Sequence, residues 1–277
     1  MSRDLRLWVD AQTALGLSRE AIFHALLDAG WQAPMAGRAL QLSPETTASF
    51  HVPAPGTMPS VALDSSGTMV DAGDKWVRVK KHLRQGVQQP ALCVFANLLS
   101  DTECAALIDT ARPRLSRSLT VDTRTGGEEL NADRTSQGMF FTRGENALVQ
   151  RVETRIARLL GWPVQNGEGL QVLRYGTGAQ YKPHYDYFDP GKAGTAAILQ
   201  RGGQRVATLI MYLHAPAQGG ATVFPDIGLT VAPERGSAVF FSYQRPYPSS
   251  LSLHGGEPVT AGEKWIATKW LRQRQFY

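Results

Sequence analysis

The sequence is poor in cysteine and has no long apolar run. Its 277 residues include two cysteines, Cys93 and Cys104, too few for a disulfide framework. No stretch approaches the roughly 18 consecutive apolar residues of a membrane-spanning helix. The first residues, MSRDLRLWVDAQ, carry charges within their apolar stretch, unlike a secretory signal peptide. We therefore expect a cytoplasmic location and no membrane partner.

The sequence also lacks a concentrated charge of one sign. The net charge is only +5, and the basic residues are spread out, with the densest groups at residues 78–81 and 272–274. Nucleic-acid binding proteins usually concentrate their basic residues on one surface. A nucleic-acid partner is therefore disfavoured, and a solvated basic surface is the simpler interpretation.

A helical pattern fills residues 1–45. Apolar residues recur there at helical spacing, and Gly16 and Gly30 suit helix ends. We predict three short helices, the third from Met35 to Leu42, forming a small bundle around Trp31. Two interpretations stay open: a partner-binding module that loosely resembles a ubiquitin-associated domain, or a scaffold that packs on the main domain.

Residues 46–74 are rich in Pro, Gly, Ser and Asp and lack a period, which predicts a linker before a main domain of residues 75–277. Two capping boxes, at Ser100 and at Thr142, predict two helices in that domain. From Gly169 onward, short β-rich runs alternate with turn residues. This pattern predicts a mainly β domain with flanking helices, built as an antiparallel sandwich or jelly roll.

One set of residues has the chemistry of a metal site. His184 and Asp186 are two apart in a predicted strand and should share a face, and His254 is a candidate third ligand. Two imidazoles and a carboxylate leave coordination positions open, which suits non-haem Fe(II) with a co-substrate and O2. A His-x-Asp pair also arises by chance, and a lone histidine is more often structural. Lys264 strengthens the hypothesis, because its charge can hold the distal carboxylate of a keto diacid.

The order of motifs points to a family. The sequences LQVLRYGTGAQYKPHYDYF, GGQRVATLIMYL, GGATVFP, GSAVFF and LHGGEPVTAGEKWIATKWL, with LLSDTECAALID and RTSQGMFF upstream, resemble the catalytic domain of prolyl 4-hydroxylases. The resemblance spans about residues 88–273 and leaves residues 1–74 outside. It implies a double-stranded β-helix (a jelly roll), Fe(II) as cofactor, 2-oxoglutarate and O2 as co-substrates, and ascorbate as reductant.

The resemblance also implies roles at matching positions. The iron ligands would be His184, Asp186 and His254, with 2-oxoglutarate bound by Lys264, Tyr175 and Thr222. The residues matching substrate-contact positions, or expected to face the cavity, are Arg205, Tyr181, Trp270, Arg134 and Ser136. For the aromatic residues, core packing is an equally open interpretation. The polar segment Thr120–Asp133 resembles the mobile loop that closes over peptide in this family.

These observations predict a dioxygenase that hydroxylates prolyl residues in a peptide or protein. Three alternatives stay open. The same chemistry could act on a free amino acid or on another side chain. Nucleic-acid demethylation is disfavoured, because such enzymes usually have an arginine where Lys264 stands. A non-catalytic module with a vestigial metal site is the third. The extracellular relatives pair with a disulfide isomerase; we expect no such partner here, and collagen is not implied as substrate.

Overall fold

The computed structural model describes residues 3–17, 19–28, 31, 33–43, 46, 58–83, 91–121, 128–130 and 133–277. Its helices are α1 (Arg3–Ala14), α2 (Arg19–Asp28), α3 (Ala33–Ala39), α4 (Asp101–Ala111), α5 (Ala147–Leu160) and α6 (Thr195–Gln200). Its strands are β1 (Met69–Asp71), β2 (Trp76–Leu83), β3 (Ala91–Ala96), β4 (Ser116–Arg117), β5 (Leu119–Val121), β6 (Glu128–Leu130), β7 (Gln137–Phe141), β8 (Leu170–Tyr175), β9 (Tyr181–His184), β10 (Arg205–His214), β11 (Gln218–Gly219), β12 (Thr222–Phe224), β13 (Leu229–Val231), β14 (Ala238–Ser242), β15 (His254–Gly256), β16 (Val259–Ala261) and β17 (Lys264–Arg272).

Two antiparallel sheets form the main domain. Nine strands make the larger sheet, in the order β1-β2-β3-β14-β10-β17-β8-β7-β4, and four make the smaller, in the order β13-β12-β15-β9. This confirms the mainly β fold class with flanking helices. The jelly-roll architecture explains how segments distant in sequence reach one site, because several neighbouring strands, such as β8 with β17 and β9 with β15, are far apart in the chain.

Strand β10 shows how the two cores are separated. Alternate side chains of a strand point to opposite faces of its sheet. Leu209 and Met211 join one core with buried residues of α4 and α5, whereas Ile210 and Tyr212 join a second core with residues of the smaller sheet. The strand is buried on both faces, which accounts for its continuous apolar sequence. The candidate site lies on the second face.

The three N-terminal helices share a small core of their own, which includes Ile22, Phe23 and Leu26. The third helix begins earlier than predicted, because Pro34 is compatible with a first turn. It ends before Leu42, since Gln41 adopts a left-handed conformation with φ 54°. Gly30 lies outside the described residues. Whether the bundle binds a partner stays a prediction.

The predicted linker, residues 46–74, is too long at its C-terminal end. β1 pairs with β2 through Val70 and Val77, and both side chains are buried in the main core. The turn between the strands is polar, with the backbone N–H of Gly73 donating to Asp71 Oδ1. Because turn-forming residues dominate this segment, the short hairpin of β1 and β2 could not be recognised from the amino-acid pattern.

One predicted capping box is confirmed and the other is wrong. Ser100 and Glu103 exchange hydrogen bonds at the start of α4. At the second site Thr142 N–H donates to Glu145, but α5 begins later, at Ala147. Asn146 is its N-cap and accepts from Val149 N–H. The Thr142 segment is a turn before the helix, because Asn146 offers a stronger N-cap at the residue adjoining the apolar face.

The predicted loop Thr120–Asp133 contains paired backbone. β5 and β6 form a hairpin within it, while residues 122–127 and 131–132 lie outside the described ranges. Cys93 and Cys104 are buried free thiols, and burial raises the pKa of Cys104 to about 11. Each helix in the described ranges is too short or too polar to span a lipid bilayer.

Candidate metal centre

Two strands of the smaller sheet bring the predicted histidines together. His184 ends β9 and His254 begins β15, and the two are direct antiparallel partners. Asp186 is not in a strand as predicted, because β9 ends at His184. The chain turns there and returns the carboxylate to the imidazoles, with His184 Nε2 3.7 Å from Oδ1 and His254 Nε2 3.4 Å from Oδ2. One ligand atom from each residue lies within 4.8 Å of the other two.

Both imidazoles are oriented in the same way. His184 Nδ1 lies 2.8 Å from the carbonyl oxygen of Lys182, and His254 Nδ1 lies 3.0 Å from that of Ser252. A carbonyl oxygen only accepts, so Nδ1 carries the proton in each ring. In the neutral form of each ring Nε2 therefore carries the lone pair, and it faces Asp186, as a metal ligand requires.

Burial and charge set the protonation states that a metal needs. Burial lowers the pKa of His254 to about 4, so the ring is neutral at pH 7. Burial alone would raise the pKa of Asp186, but the two histidines and Arg205 hold it well below its usual range. An ionised carboxylate beside two imidazoles whose Nε2 atoms face it is a donor set that fits Fe(II).

A buried cation lies in the same cavity. Lys264 begins β17 and is only 3% exposed, and burial lowers the pKa of its ammonium group to about 8. Within the described part of the chain, no carboxylate lies within ion-pairing distance of it. Glu257 attracts the ammonium group only from a distance, and burial outweighs that attraction. A buried ammonium group without a directly paired carboxylate is unfavourable, so the site fits an anionic ligand.

The wall beside Lys264 is kept open by glycine. A Cβ on Gly220 would lie 3.2 Å from Lys264 Cδ, and one on Gly256 would lie 3.9 Å from Nζ. Thr222 is the strand partner of Gly256 and accepts a hydrogen bond from Tyr212 at 2.8 Å. The ammonium end of the cavity therefore combines a charge, a hydroxyl group and open space.

The structure brings most of the predicted residues to one cavity. Its wall includes His184, Asp186, His254, Lys264, Tyr175, Thr222, Tyr181, Trp270 and Arg134. Tyr181 stacks on His184 with 3.6 Å between ring centroids, and Arg134 lies over the Tyr181 ring. Ser136 is buried behind this wall and donates to Ser118.

Arg205 lies behind the cavity in an ion pair. Its guanidinium group donates to both carboxylate oxygens of Glu168 at 2.6 and 2.8 Å and lies 4.0 Å from the ring centroid of Trp270. It also donates to the backbone oxygen of Asp186. Its described contacts are thus with the protein, and a contact with substrate stays a prediction.

Three further residues near the site were not predicted. Thr208 hydrogen-bonds to Asp186 and Tyr243, and Phe140, at 48% exposure, has its ring 6.4 Å from Trp270. A threonine inside the apolar run RVATLIMYL was the available signal, because a buried hydroxyl needs a partner. No comparable signal marks Phe140, since single exposed apolar residues are common.

Comparison with known proteins agrees with this geometry. The 2OG-Fe(II) oxygenase superfamily matches residues 170–272. The chain is 40% identical to prolyl 4-hydroxylase 5 of Arabidopsis thaliana over 233 residues, covering 76% of each chain. It is 43% identical to prolyl 4-hydroxylase 1 of the same plant over 202 residues, covering 67% of this chain and 70% of the relative.

A solved structure is similar as well. The 2-oxoglutarate complex of a viral collagen prolyl hydroxylase from Paramecium Bursaria Chlorella virus-1 superposes with a TM-score of 0.51 at 29% identity, covering 65% of this chain and 95% of the viral one. Fold, site and relatives agree: the chain belongs to the prolyl 4-hydroxylase family of Fe(II)- and 2-oxoglutarate-dependent oxygenases.

Proposed function

We propose that this protein hydroxylates prolyl residues in a peptide or protein, using Fe(II), 2-oxoglutarate and O2. The proposal depends on one observation: the candidate metal ligands and a buried ammonium group line the same cavity. These residues are His184, Asp186, His254 and Lys264. The relatives support prolyl side chains as targets, because they are named for that reaction.

His184, Asp186 and His254 would hold the iron. Fe(II) bound there would supply the activation of O2 that couples decarboxylation of 2-oxoglutarate, to succinate and CO2, to hydroxylation of a C–H bond. The protein's contribution is to orient the donors. The hydrogen bonds of both Nδ1 atoms to carbonyl oxygens turn the Nε2 atoms toward Asp186, and the carboxylate is kept ionised.

Lys264, Tyr175 and Thr222 would hold 2-oxoglutarate. The ammonium group of Lys264 offers a charge to the carboxylate far from the metal, and the Thr222 hydroxyl lies at the same end of the cavity. Tyr175 is the strand partner of Lys264. Charge-assisted hydrogen bonds of this kind are the stronger ones in a desolvated pocket.

The substrate would meet the outer part of the cavity. Tyr181, Trp270 and Arg134 line it, and β5 and β6 form the hairpin at which we expect peptide to be covered. Ser136 and Arg205 lie behind this wall, where they hydrogen-bond to Ser118 and Glu168 respectively. They would influence substrate binding indirectly, by supporting the residues that line the cavity. A cover of this kind favours an extended peptide over a free amino acid.

Four narrower expectations accompany the proposal. Ascorbate would serve as the reductant that maintains Fe(II). The protein would act in the cytoplasm and without a disulfide isomerase. Nucleic acid would not be its substrate, which the absence of salt-sensitive binding to short DNA and RNA would support.

The deciding experiment combines two measurements on the full chain. Wild-type protein with Fe(II) and 2-oxoglutarate should release succinate, and a panel of proline-rich peptides should yield a product heavier by one oxygen atom. His184→Ala should do neither. Product on free amino acids alone would contradict the peptide assignment, and equal succinate release by His184→Ala would contradict the assigned metal site.

A further inference from the structure

We propose that Thr208 and Tyr243 form a hydrogen-bonded pair that positions the Asp186 carboxylate for metal binding. The inference rests on the proposed metal site. It concerns two residues that do not touch the metal position themselves but act through Asp186.

All three side chains are buried together. Thr208 has no exposed surface and Tyr243 has 2%. Thr208 lies on β10 and points to the face of the sheet that carries the site, like Ile210 two residues later. Tyr243 follows β14, and its backbone N–H donates to Val206 of β10. The pair is therefore fixed by the central strands of the larger sheet.

The direction of the two hydrogen bonds follows from counting protons. Thr208 Oγ1 lies 2.7 Å from Asp186 Oδ2 and 3.0 Å from the Tyr243 hydroxyl oxygen. The ionised carboxylate only accepts, so the one Thr208 proton goes to Asp186. Tyr243 must then donate to Thr208. Each donation polarises the next, which strengthens the bond that reaches the carboxylate.

Asp186 needs this support because it lies outside regular structure. Its backbone oxygen accepts from Arg205 at 3.3 Å. The following segment is held by Gln204, whose side-chain amide bonds both the N–H and the C=O of Phe188 at 2.8 Å. These contacts fix the main chain and leave the side-chain rotation free. Within the described residues, Thr208 is the hydroxyl group that fixes that rotation, so that both oxygens face the histidine Nε2 atoms.

A purely structural role would have a different consequence. If Thr208 and Tyr243 only satisfied each other in the core, removing a hydroxyl group would alter folding stability but not metal affinity. If they aim Asp186, metal affinity falls even where the metal-free protein stays folded. Partners of this kind, which orient metal ligands, typically change affinity about 10- to 100-fold.

The test uses full-length Thr208→Val, Thr208→Ser and Tyr243→Phe. The first readout is the dissociation constant for Fe(II) under anaerobic conditions without 2-oxoglutarate. The second is the visible charge-transfer band that appears when 2-oxoglutarate is added to the Fe(II) protein. Thr208→Val should weaken Fe(II) binding about 10- to 100-fold and alter the band. Thr208→Ser, which keeps the hydroxyl group, should restore both, and Tyr243→Phe should cause a smaller loss.

Tyr212→Phe is the matched control for Tyr243→Phe. It removes an equally buried tyrosine–threonine hydrogen bond, that between Tyr212 and Thr222, without touching Asp186. Its Fe(II) affinity in the absence of 2-oxoglutarate should equal that of the wild type. The thermal midpoint of each metal-free variant shows whether it is folded.

The outcomes separate this inference from the proposed function. If His184→Ala loses Fe(II) but Thr208→Val binds it as tightly as the wild type, the positioning role is overturned and the metal site stands. If His184→Ala also binds normally, the proposed site itself fails. Should Thr208→Val not fold, Tyr243→Phe decides, because unchanged Fe(II) affinity in that variant would overturn the pair.

Discussion

Lys264 and Tyr175 are antiparallel partners at the ends of β17 and β8, and Lys264 Nζ lies 5.6 Å from the centroid of the Tyr175 ring. The ring of Tyr212 lies at a similar distance, 5.7 Å, from the same ammonium group. Aromatic faces attract a cation but do not neutralise it. The ammonium group is thus held in place while its charge is left for a ligand.

The first prediction concerns that charge. Lys264→Met keeps most of the side-chain volume and removes the ammonium group, so the remote carboxylate of 2-oxoglutarate loses a charged hydrogen bond of about 1.5–3 kcal/mol. The KM for 2-oxoglutarate should rise roughly 10- to 100-fold, while Fe(II) affinity without 2-oxoglutarate should stay at the wild-type value. Steady-state kinetics and metal titration measure the two quantities. An unchanged KM would remove Lys264 from the co-substrate site.

A second prediction follows from the pKa of Lys264. Burial lowers it from 10.5 to about 8, so the group is charged below that pH and becomes neutral above it. Because a dianion binds the charged form, the KM for 2-oxoglutarate should be flat below about pH 7 and rise as the pH passes through 8. In Lys264→Arg the rise should disappear, since guanidinium stays charged throughout this range. The same rise in both proteins would assign it to another group.

Some residues of the site could be identified from the sequence, because they belong to short local motifs. His184 precedes Asp186 by two positions and His254 precedes Lys264 by ten, and the segments around both histidines and the lysine have β patterns. The structure brings them to one cavity. Asp186 shows the limit of this reasoning, because a period-two argument presumes a strand, and β9 ends two residues before it.

Other features depend on contacts between distant segments. The ion pair of Arg205 with Glu168 joins residues 37 positions apart, and no local pattern links them. β1 was missed because three residues between turn-forming segments carry too little periodicity to stand out, although β2 pairs with them in space. Two helix bounds depend on single residues and not on the periodicity of the apolar residues. Gln41, with its left-handed backbone, follows the end of α3, and Asn146 is the N-cap at which α5 starts.

The third prediction concerns a buried ion pair that joins two helices. Arg155 of α5 donates to both carboxylate oxygens of Glu103 in α4, each at 2.8 Å. Burial alone would raise the pKa of Glu103, but hydrogen bonds from Arg155 and from Ser100 lower it from 4.5 to about 2. The stabilisation is therefore present above pH 4.5 and is lost as the pH falls toward 2.

Glu103→Gln should lower the free energy of unfolding at pH 7 by about 3 kcal/mol and should flatten the acid limb of the stability profile. Urea unfolding at neutral and acid pH measures both effects. Glu145→Gln is the control, because Glu145 pairs with Arg114 nearer the surface and should change stability by less than about 1 kcal/mol. Equal effects of the two substitutions would show that the Glu103 pair does not join the helices in the way described.

The fourth prediction concerns the surface outside the cavity. Phe140 on β7 is 48% exposed and lies beside Trp270, which lines the cavity. A peptide that places a prolyl ring at the metal must extend over neighbouring surface, where an exposed aromatic ring offers apolar contact. Phe140→Ala should raise the peptide KM by the equivalent of about 1–2 kcal/mol, with the KM for 2-oxoglutarate unchanged. Trp76→Ala is the matched control, since Trp76 is 58% exposed but lies on β2, toward the opposite edge of the larger sheet. If both substitutions change the peptide KM equally, the effect is one of general surface apolarity, and the peptide does not run across β7.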